Sequence, residues 1–207
     1  MRTLIIAATE AEIAPTIAYF NLKSSHFIET ENFDFLITGV GMVATAFALG
    51  QKLNKKYKLA INIGIAGSFD RNIKLGELVN VIEDTFAELG AEDHEEFITL
   101  PQLGFGKNSF SSTVKKDLQL EEVKGITVNK VHGNAQSIEN ITRLYHPQVE
   151  SMEGAAIFYA AEQLSIPALQ IRSISNYVEP RNRENWQIGL AISTINNWLI
   201  DFLENRI

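Results

Sequence analysis

The sequence predicts an α/β protein in which helices flank a largely parallel β-sheet. Short apolar runs alternate with amphipathic stretches along most of the chain, a pattern typical of successive strand–helix units. The first run, residues 3–8, is continuously apolar, as expected for a strand that is buried on both faces. No low-complexity linker or repeat interrupts the pattern, so we predict one domain over residues 1–207.

The predicted strands are apolar runs that end in small or polar residues. In chain order they span residues 3–8, 33–38, 59–65, 78–82, 127–131 and 168–173. The third is expected to close at Gly64 and Gly67, because glycine commonly marks a turn. Residues 83–125 have weaker periodicity, and we expect long connections there, some of them over the site or at an interface.

The predicted helices span residues 10–20, 41–54, 153–164 and 183–203. Glu10 and Glu12 lie in the first turn of the first helix, where acidic side chains complement the helix dipole. In the last helix an apolar stripe supports the assignment. That stripe consists of Ile188, Ile192, Ile195, Leu199 and Phe202.

Composition and charge exclude several function classes. The chain has 207 residues, of which 45% are hydrophobic and 21% charged. A net charge of -7 argues against nucleic acid or an anionic membrane as the main partner. No window approaches ~18 uninterrupted apolar residues, and no signal peptide is evident, so we expect a cytoplasmic protein. The absence of cysteine excludes disulfides and thiolate metal sites.

Ligands of α/β sheets bind beyond the carboxyl ends of the strands, which directs attention to Glu10 and Glu12 after the first strand. One of the two could act as a general base on water. The simpler interpretation is that both are solvated acids of the first helical turn.

Two glycine-containing motifs follow the second and third strands. Residues 39–44 have the spacing G-x-G-x-x-A of dinucleotide sites, but the next strand does not end in the acid that would bind a ribose. The motif therefore favours close backbone approach to a smaller ligand. Residues 64–68 are small, and they form either a plain strand exit or a backbone wall for a flat base.

A third motif is the string SMEGAA at residues 151–156. Glu153 is either a surface residue or a carboxylate that binds sugar hydroxyls, with Met152 as a soft contact to the sugar. The histidines lack the spacing of a metal pair, and no serine lies in a G-x-S-x-G motif. We expect neither a metal nor an organic cofactor.

Taken in order, these motifs resemble the purine nucleoside phosphorylase/nucleosidase superfamily. The matching strings are A-x-E-x-E at 8–12, GVGMVATAFALG at 39–50, NIGIAGS at 62–68, SMEGAA at 151–156 and ISN at 174–176. The resemblance is closest to the branch of the methylthioadenosine/S-adenosylhomocysteine nucleosidases and the futalosine hydrolases. It implies a single-domain, three-layer fold with a central, mostly parallel mixed sheet, and hydrolysis of a nucleoside by water.

The resemblance also implies residue roles. Glu12 would activate the attacking water, and Glu153 would bind ribose hydroxyls and offset the positive charge of an oxocarbenium-like transition state. Breaking an N-glycosidic bond requires both contributions, together with hydrogen bonds to the departing base. A homodimer or larger homo-oligomer is implied as well.

At the base, the resemblance places Ala66 and Gly67 against the purine and Ser175 and Asn176 at its leaving-group edge. The adenine-specific nucleosidases have aspartate where this chain has Asn176. An amide NH₂ can donate to O6 or N7 of a 6-oxopurine, so Asn176 favours hypoxanthine over adenine. Within the resemblance, this preference favours the futalosine hydrolases, which implies futalosine as the substrate and a step of menaquinone biosynthesis.

The string ISNYVEPRNRENW also resembles the futalosine hydrolases, whose substrate is an inosine-like nucleoside with a carboxyphenyl ketone tail. Arg181 or Arg183 could bind the tail carboxylate, or both could be solvated charges at a helix entry. The loop that supplies a base-stacking phenylalanine in the methylthioadenosine enzymes corresponds to residues 131–135, which contain no aromatic residue. Candidates for that role are Phe86, Phe105 and Phe110.

Three alternatives remain open. Asn176 argues against a methylthioadenosine/S-adenosylhomocysteine nucleosidase. A phosphorylase is disfavoured because phosphate-binding members have other residues where Glu12 stands. A non-catalytic nucleoside-binding relative is disfavoured because Glu12 and Glu153 are both present.

Overall fold

The structure is a computed structural model that describes residues 2–114 and 118–205. Its strands are β1 Thr3–Ala7, β2 Phe27–Glu29, β3 Phe33–Ile37, β4 Leu59–Ser68, β5 Leu78–Phe86, β6 Gly90–Asp93, β7 Glu96–Thr99, β8 Ser109–Ser111, β9 Glu121–Thr127, β10 Val149–Ser151 and β11 Ala168–Tyr177. Its helices are α1 Glu10–Tyr19, α2 Met42–Lys52, α3 Ala135–Tyr145, α4 Gly154–Gln163 and α5 Ile188–Glu204.

A nine-stranded sheet forms the centre of the described structure, with the order β10-β9-β5-β11-β4-β1-β3-β2 and β8 beside β5. Strand β10 pairs with both β9 and β4, so β4, β11, β5, β9 and β10 form a closed ring. Strands β3, β1, β4 and β11 are parallel to one another, whereas β2, β8 and the β5–β11 and β4–β10 pairs are antiparallel. The β5–β9 and β9–β10 pairs are parallel as well. The sheet is therefore mixed as expected, but the expectation that it is mostly parallel is not met.

Helices cover both faces of this sheet, as the predicted three layers require. On one face α1 and α5 pack together over the apolar side chains of β1, β3 and β4. A buried hydrogen bond of 2.6 Å from Thr16 Oγ1 to Asn196 Oδ1 joins these two helices. On the other face α2 and α4 pack together over a second apolar cluster. No helix in the described part of the chain is long and apolar enough to cross a membrane.

The predicted strands at 3–8, 33–38, 59–65, 78–82 and 168–173 are present, but three of them are longer than predicted. Strand β4 continues through Gly64 and Gly67 to Ser68, so the expected closure of the strand at these glycines is wrong. Strand β11 pairs with it over the whole length and continues to Tyr177. The glycines leave room above the strand for side chains of the cavity described below.

The stretch 83–125 is more regular than predicted. Besides the end of β5, it contains the hairpin β6–β7, β8 and most of β9, while residues 115–117 lie outside the described residues. The predicted strand at 127–131 is wrong, because β9 ends at Thr127. Polar side chains on the exposed face of β9 hide its apolar pattern.

The predicted helix at 183–203 begins later than expected. Residues Arg183–Asn185 form a short 3-10 helix, and α5 starts at Ile188. Outside residues 83–125, elements β2, α3 and β10 were not predicted. The two missed strands contain three residues each, too few to produce a periodic signal.

Candidate active site

A cavity of about 400 Å³ lies beyond the carboxyl ends of β1, β4, β10 and β11. Eight of the nine site residues proposed from the sequence line it, and Arg183 is the exception. Those eight are Glu12, Ala66, Gly67, Met152, Glu153, Ser175, Asn176 and Arg181. The fold therefore brings the separate motifs to one place, as expected where the carboxyl ends of strands meet.

Glu12 is buried at this cavity, in the first turn of α1. Its Oε2 atom accepts hydrogen bonds from the Thr9 backbone N–H at 2.9 Å and from Thr9 Oγ1 at 3.1 Å. Its Oε1 atom accepts from the Ile65 N–H at 3.2 Å. The bond from the Thr9 N–H belongs to a capping box, so helix initiation itself holds the carboxylate in place. Glu10, two residues earlier, is exposed.

Glu153 is the second buried carboxylate, at the junction of β10 and α4. Its Oε1 atom accepts from the Gly41 N–H at 2.9 Å. Gly41 has a φ of 92°, in a region that favours glycine, so the G-x-G-x-x-A motif positions this glutamate. Burial raises the pKa of Glu153, while the charge of Arg172 and the Gly41 N–H act in the opposite direction.

Arg172 supplies a buried cation that the sequence analysis missed. It lies on β11, where Nε donates to Gln170 Oε1 at 3.1 Å and Nη2 donates to Asn62 Oδ1. A Cβ on Gly64 would overlap Arg172 Nη1 and lie 2.7 Å from Glu12 Oε1. Arg172 and Glu12 therefore approach each other over Gly64. The available signal was an arginine within the apolar strand ALQIRSI.

A buried polar network extends from Gln170 away from the cavity. Gln170 Nε2 donates to Asp84 Oδ2 at 2.9 Å, and Thr127 Oγ1 donates to Asp84 Oδ1 at 2.8 Å. Burial raises the pKa of Asp84 to about 6, although both hydrogen bonds favour its ionised form. Because Gln170 also accepts from Arg172, this network fixes the direction of the guanidinium.

A register shift between β11 and β4 positions Asn176 at the cavity. The shift lies between Ile174 and Asn176 and places Asn176 beside Gly67. Ser175 Oγ donates to Asn176 Oδ1 at 2.7 Å, which orients the amide. Asn176 Nδ2 donates to the Tyr177 carbonyl at 3.1 Å and lies 3.2 Å from the position of a Cβ on Gly67. The second proton of the NH₂ group remains to bind a ligand.

The pair formed by His132 and Glu150, which was not predicted from the sequence, also lies at this cavity. Glu150 is 3% exposed and accepts from the His132 N–H at 3.0 Å, and its Oε2 atom lies 2.7 Å from His132 Nδ1. Both residues line the cavity. They are 18 residues apart in the chain, and no sequence motif connects them.

The loop before α5 contributes Arg181 and Trp186 to the cavity. The guanidinium carbon of Arg181 lies 5.0 Å from the centroid of the Trp186 ring, and that of Arg183 lies 5.8 Å from it. Arg181 forms no ion pair within the described residues. It is therefore a cation at the cavity without an acidic partner there.

The proposed stacking residues do not lie at this site. Phe86, Phe105 and Phe110 are absent from the cavity lining, because the segments that carry them lie elsewhere on the fold. Trp186 lines the cavity instead. Across residues 2–114 and 118–205, no cluster of three His, Asp or Glu side chains is arranged to hold a metal ion.

Comparison with known proteins agrees with this fold. The chain belongs to the phosphorylase superfamily, whose family model matches residues 4–202. It is 30% identical to a futalosine hydrolase of Streptomyces coelicolor, over 80% of this chain and 76% of that protein. It is 31% identical to a 5′-methylthioadenosine/S-adenosylhomocysteine nucleosidase of Shewanella oneidensis, over 85% of this chain and 84% of that protein.

Among solved structures, the fold is similar to that of futalosine hydrolase from Helicobacter pylori. The TM-score is 0.83 at 14% sequence identity, and the match covers 99% of this chain and 98% of the other. At this identity the similarity establishes the fold.

Proposed function

We propose that this protein hydrolyses the N-glycosidic bond of a 6-oxopurine nucleoside. The substrate we propose is futalosine, which gives hypoxanthine and dehypoxanthinylfutalosine, a step of menaquinone biosynthesis. One observation carries the proposal: two buried glutamates and an asparagine amide line one cavity. The proposal takes residues 1–207 as one domain that acts in the cytoplasm, without a metal or organic cofactor.

In the proposed reaction, Glu12 accepts a proton from water as the oxygen attacks C1′ of the ribose. Its bonds to Thr9 and Ile65 fix the carboxylate, so little reorganisation is needed during the reaction. Arg172, which approaches Glu12 over Gly64, places a positive charge beside the Glu12 carboxylate.

Glu153 is proposed to bind the ribose hydroxyls, with Met152 against the sugar. As the bond to the base breaks, positive charge develops on the ribose, and a buried carboxylate stabilises that charge more than solvent does. The Gly41 N–H and the charge of Arg172 help to keep Glu153 ionised against the effect of burial.

At the base, Ala66 and Gly67 are proposed to lie against the purine. Ser175 orients Asn176, whose amide donates to O6 or N7 and thereby stabilises the departing base. The methylthioadenosine/S-adenosylhomocysteine nucleosidase activity named for the Shewanella relative is the second candidate function. Asn176 disfavours it, because adenine carries a donor at position 6.

The proposal is tested by incubating the purified protein separately with futalosine, inosine and methylthioadenosine, each with and without phosphate. Chromatography then identifies the released base. We expect hypoxanthine from futalosine at a rate that phosphate does not change. Release that requires phosphate would indicate a phosphorylase, and no release from any nucleoside would indicate a non-catalytic binding protein.

The role of Glu153 predicts a coupling between this residue and the 2′-hydroxyl of the substrate. In the wild type, removal of the 2′-hydroxyl should lower kcat/KM by roughly 10-fold or more, because a hydrogen bond to a charged group is lost. In Glu153→Gln the same removal should have little further effect. Steady-state kinetics on the four enzyme–substrate combinations measures the coupling, and equal penalties in both enzymes would contradict the role.

Arg181 is proposed to bind the carboxylate of the futalosine tail, because it is a cation at the cavity without an acidic partner in the described residues. Arg181→Ala should therefore lower kcat/KM for futalosine by roughly 10-fold or more, the scale of a charge-assisted hydrogen bond, and affect inosine much less. Arg183→Ala is the matched control, since Arg183 does not line the cavity. Equal losses on both substrates in Arg181→Ala would point to a structural role.

A homodimer or larger homo-oligomer forms part of the proposal. Val43 and Phe47 are 77% and 69% exposed on one face of α2, and Val40, which lines the cavity, is exposed beside them. Adjacent exposed apolar side chains are typical of a protein interface. Light scattering on the purified protein measures the oligomeric state.

A further inference from the structure

We propose that His132 recognises N1 of the purine, with Glu150 holding its imidazole as a hydrogen-bond acceptor. This inference rests on the proposed function and adds a second determinant of the base beside Asn176. It concerns a buried pair at the cavity that the proposed reaction does not otherwise use.

The position of the pair supports the inference. Glu150 on β10 is the register partner of Gly67 on β4. A Cβ on Gly67 would lie 3.6 Å from Glu150 Cγ and 3.2 Å from Asn176 Nδ2. Glu150 and Asn176 therefore flank the backbone against which the base is proposed to lie. His132, which is hydrogen-bonded to Glu150, therefore lies near the proposed position of the base and not near that of the ribose.

The hydrogen bonds of Glu150 determine which imidazole nitrogen is left for a ligand. Its Oε1 accepts from the His132 N–H, and its Oε2 is bonded to His132 Nδ1. An ionised carboxylate only accepts, so in the neutral form of the His132 imidazole the proton lies on Nδ1, and Nε2 presents a lone pair. The His132 side chain is 10% exposed, and within the described residues its ring has no other hydrogen-bond partner.

A lone pair at this place distinguishes the two classes of purine. A 6-oxopurine has an N1–H donor, which Nε2 can accept, whereas N1 of adenine is an acceptor and would face the lone pair of Nε2. Asn176 donates to the neighbouring O6 or N7, so the two side chains together match the donor and acceptor pattern of hypoxanthine. A buried polar edge left unpaired is the usual source of strong discrimination between such bases.

The test compares inosine with 1-deazainosine, in which a C–H group replaces N1–H. In the wild type, kcat/KM should fall roughly 5- to 100-fold on this replacement, the scale of one unpaired buried group. In His132→Phe, which keeps a ring but has no acceptor, the two substrates should differ less than about 2-fold. His26→Phe, the same change at an exposed histidine, is the matched control and should keep the wild-type ratio.

Glu150→Gln provides a second, independent variant. A glutamine amide can donate to Nδ1, which moves the imidazole proton to Nε2 and makes that atom a donor. The inosine/1-deazainosine ratio should then fall toward one, and the relative rate with adenosine should rise. Thermal unfolding of each variant reports whether the fold is retained.

The outcomes separate this inference from the proposed function. A wild type that hydrolyses inosine and 1-deazainosine equally well overturns the role of His132 and leaves the nucleosidase function standing. The same conclusion follows if His132→Phe and Glu150→Gln both keep the wild-type ratio. A wild type that releases no base from any nucleoside overturns the inference together with the proposed function.

Discussion

Replacement of Glu12 by glutamine should lower turnover at least ~100-fold while nucleoside binding is retained, the usual scale for loss of a general base. The amide has nearly the shape of the carboxylate but cannot accept the proton of the attacking water. Glutamine also occurs at this position of a capping box, so the start of α1 should persist. Pre-steady-state or steady-state kinetics, together with a binding measurement by calorimetry, separates the loss of kcat from a loss of affinity.

Glu10→Gln is the matched control for this variant. Glu10 lies two residues earlier on the same helix, carries the same charge and is exposed, so its replacement should change turnover little. Near-normal turnover in Glu12→Gln would remove Glu12 from the mechanism. A comparable loss in both variants would indicate that the charge of the first helical turn matters, and not the carboxylate at the cavity.

Replacement of Asn176 by aspartate should move the preference of the enzyme from 6-oxopurines toward 6-aminopurines. The Asn176 amide matches the acceptors O6 and N7 without any change of protonation. An ionised aspartate would repel both acceptors, whereas a protonated one can donate to N7 and accept from the 6-amino group. Ser175 Oγ, which donates to Oδ1 in the wild type, can donate equally to an aspartate oxygen, so the local geometry should survive.

The expected size of this change follows from the cost of an unpaired buried polar group, about 1–3 kcal/mol, or roughly 5- to 150-fold. The wild type should favour inosine over adenosine by at least that order, and Asn176→Asp should lose most of its activity on inosine. The measurement is kcat/KM for this matched pair, which differs only at position 6. An unchanged ratio would show that the base is selected elsewhere in the cavity.

Much of the fold could be predicted because the buried strands and amphipathic helices have clear apolar patterns. Strand β1 and helices α1 and α4 lie within two residues of their predicted bounds. The short strands β2 and β10 and the half-exposed β9 were missed, because three residues or one buried face give little periodic signal. The mixed sheet could not be predicted either, since strand direction depends on contacts between distant segments.

The candidate site was predictable where a motif follows a strand, as at Glu12, Glu153 and Asn176. No motif contains Arg172, whose position above Gly64 depends on the pairing of β11 with β4. The His132–Glu150 pair likewise requires β10 to lie between β9 and β4. In both cases the residues are brought together by the pairing of strands that are distant in the sequence, and no local pattern indicates such pairing.

The most direct test of the account is an internal competition between futalosine and methylthioadenosine. The two nucleosides are mixed at equal concentration with the purified protein, and the ratio of hypoxanthine to adenine released early in the reaction gives the ratio of the two kcat/KM values. The account predicts that hypoxanthine exceeds adenine by at least roughly 5- to 150-fold, the discrimination expected from Asn176 alone. An excess of adenine would contradict it and would identify the protein as a nucleosidase of 6-aminopurines.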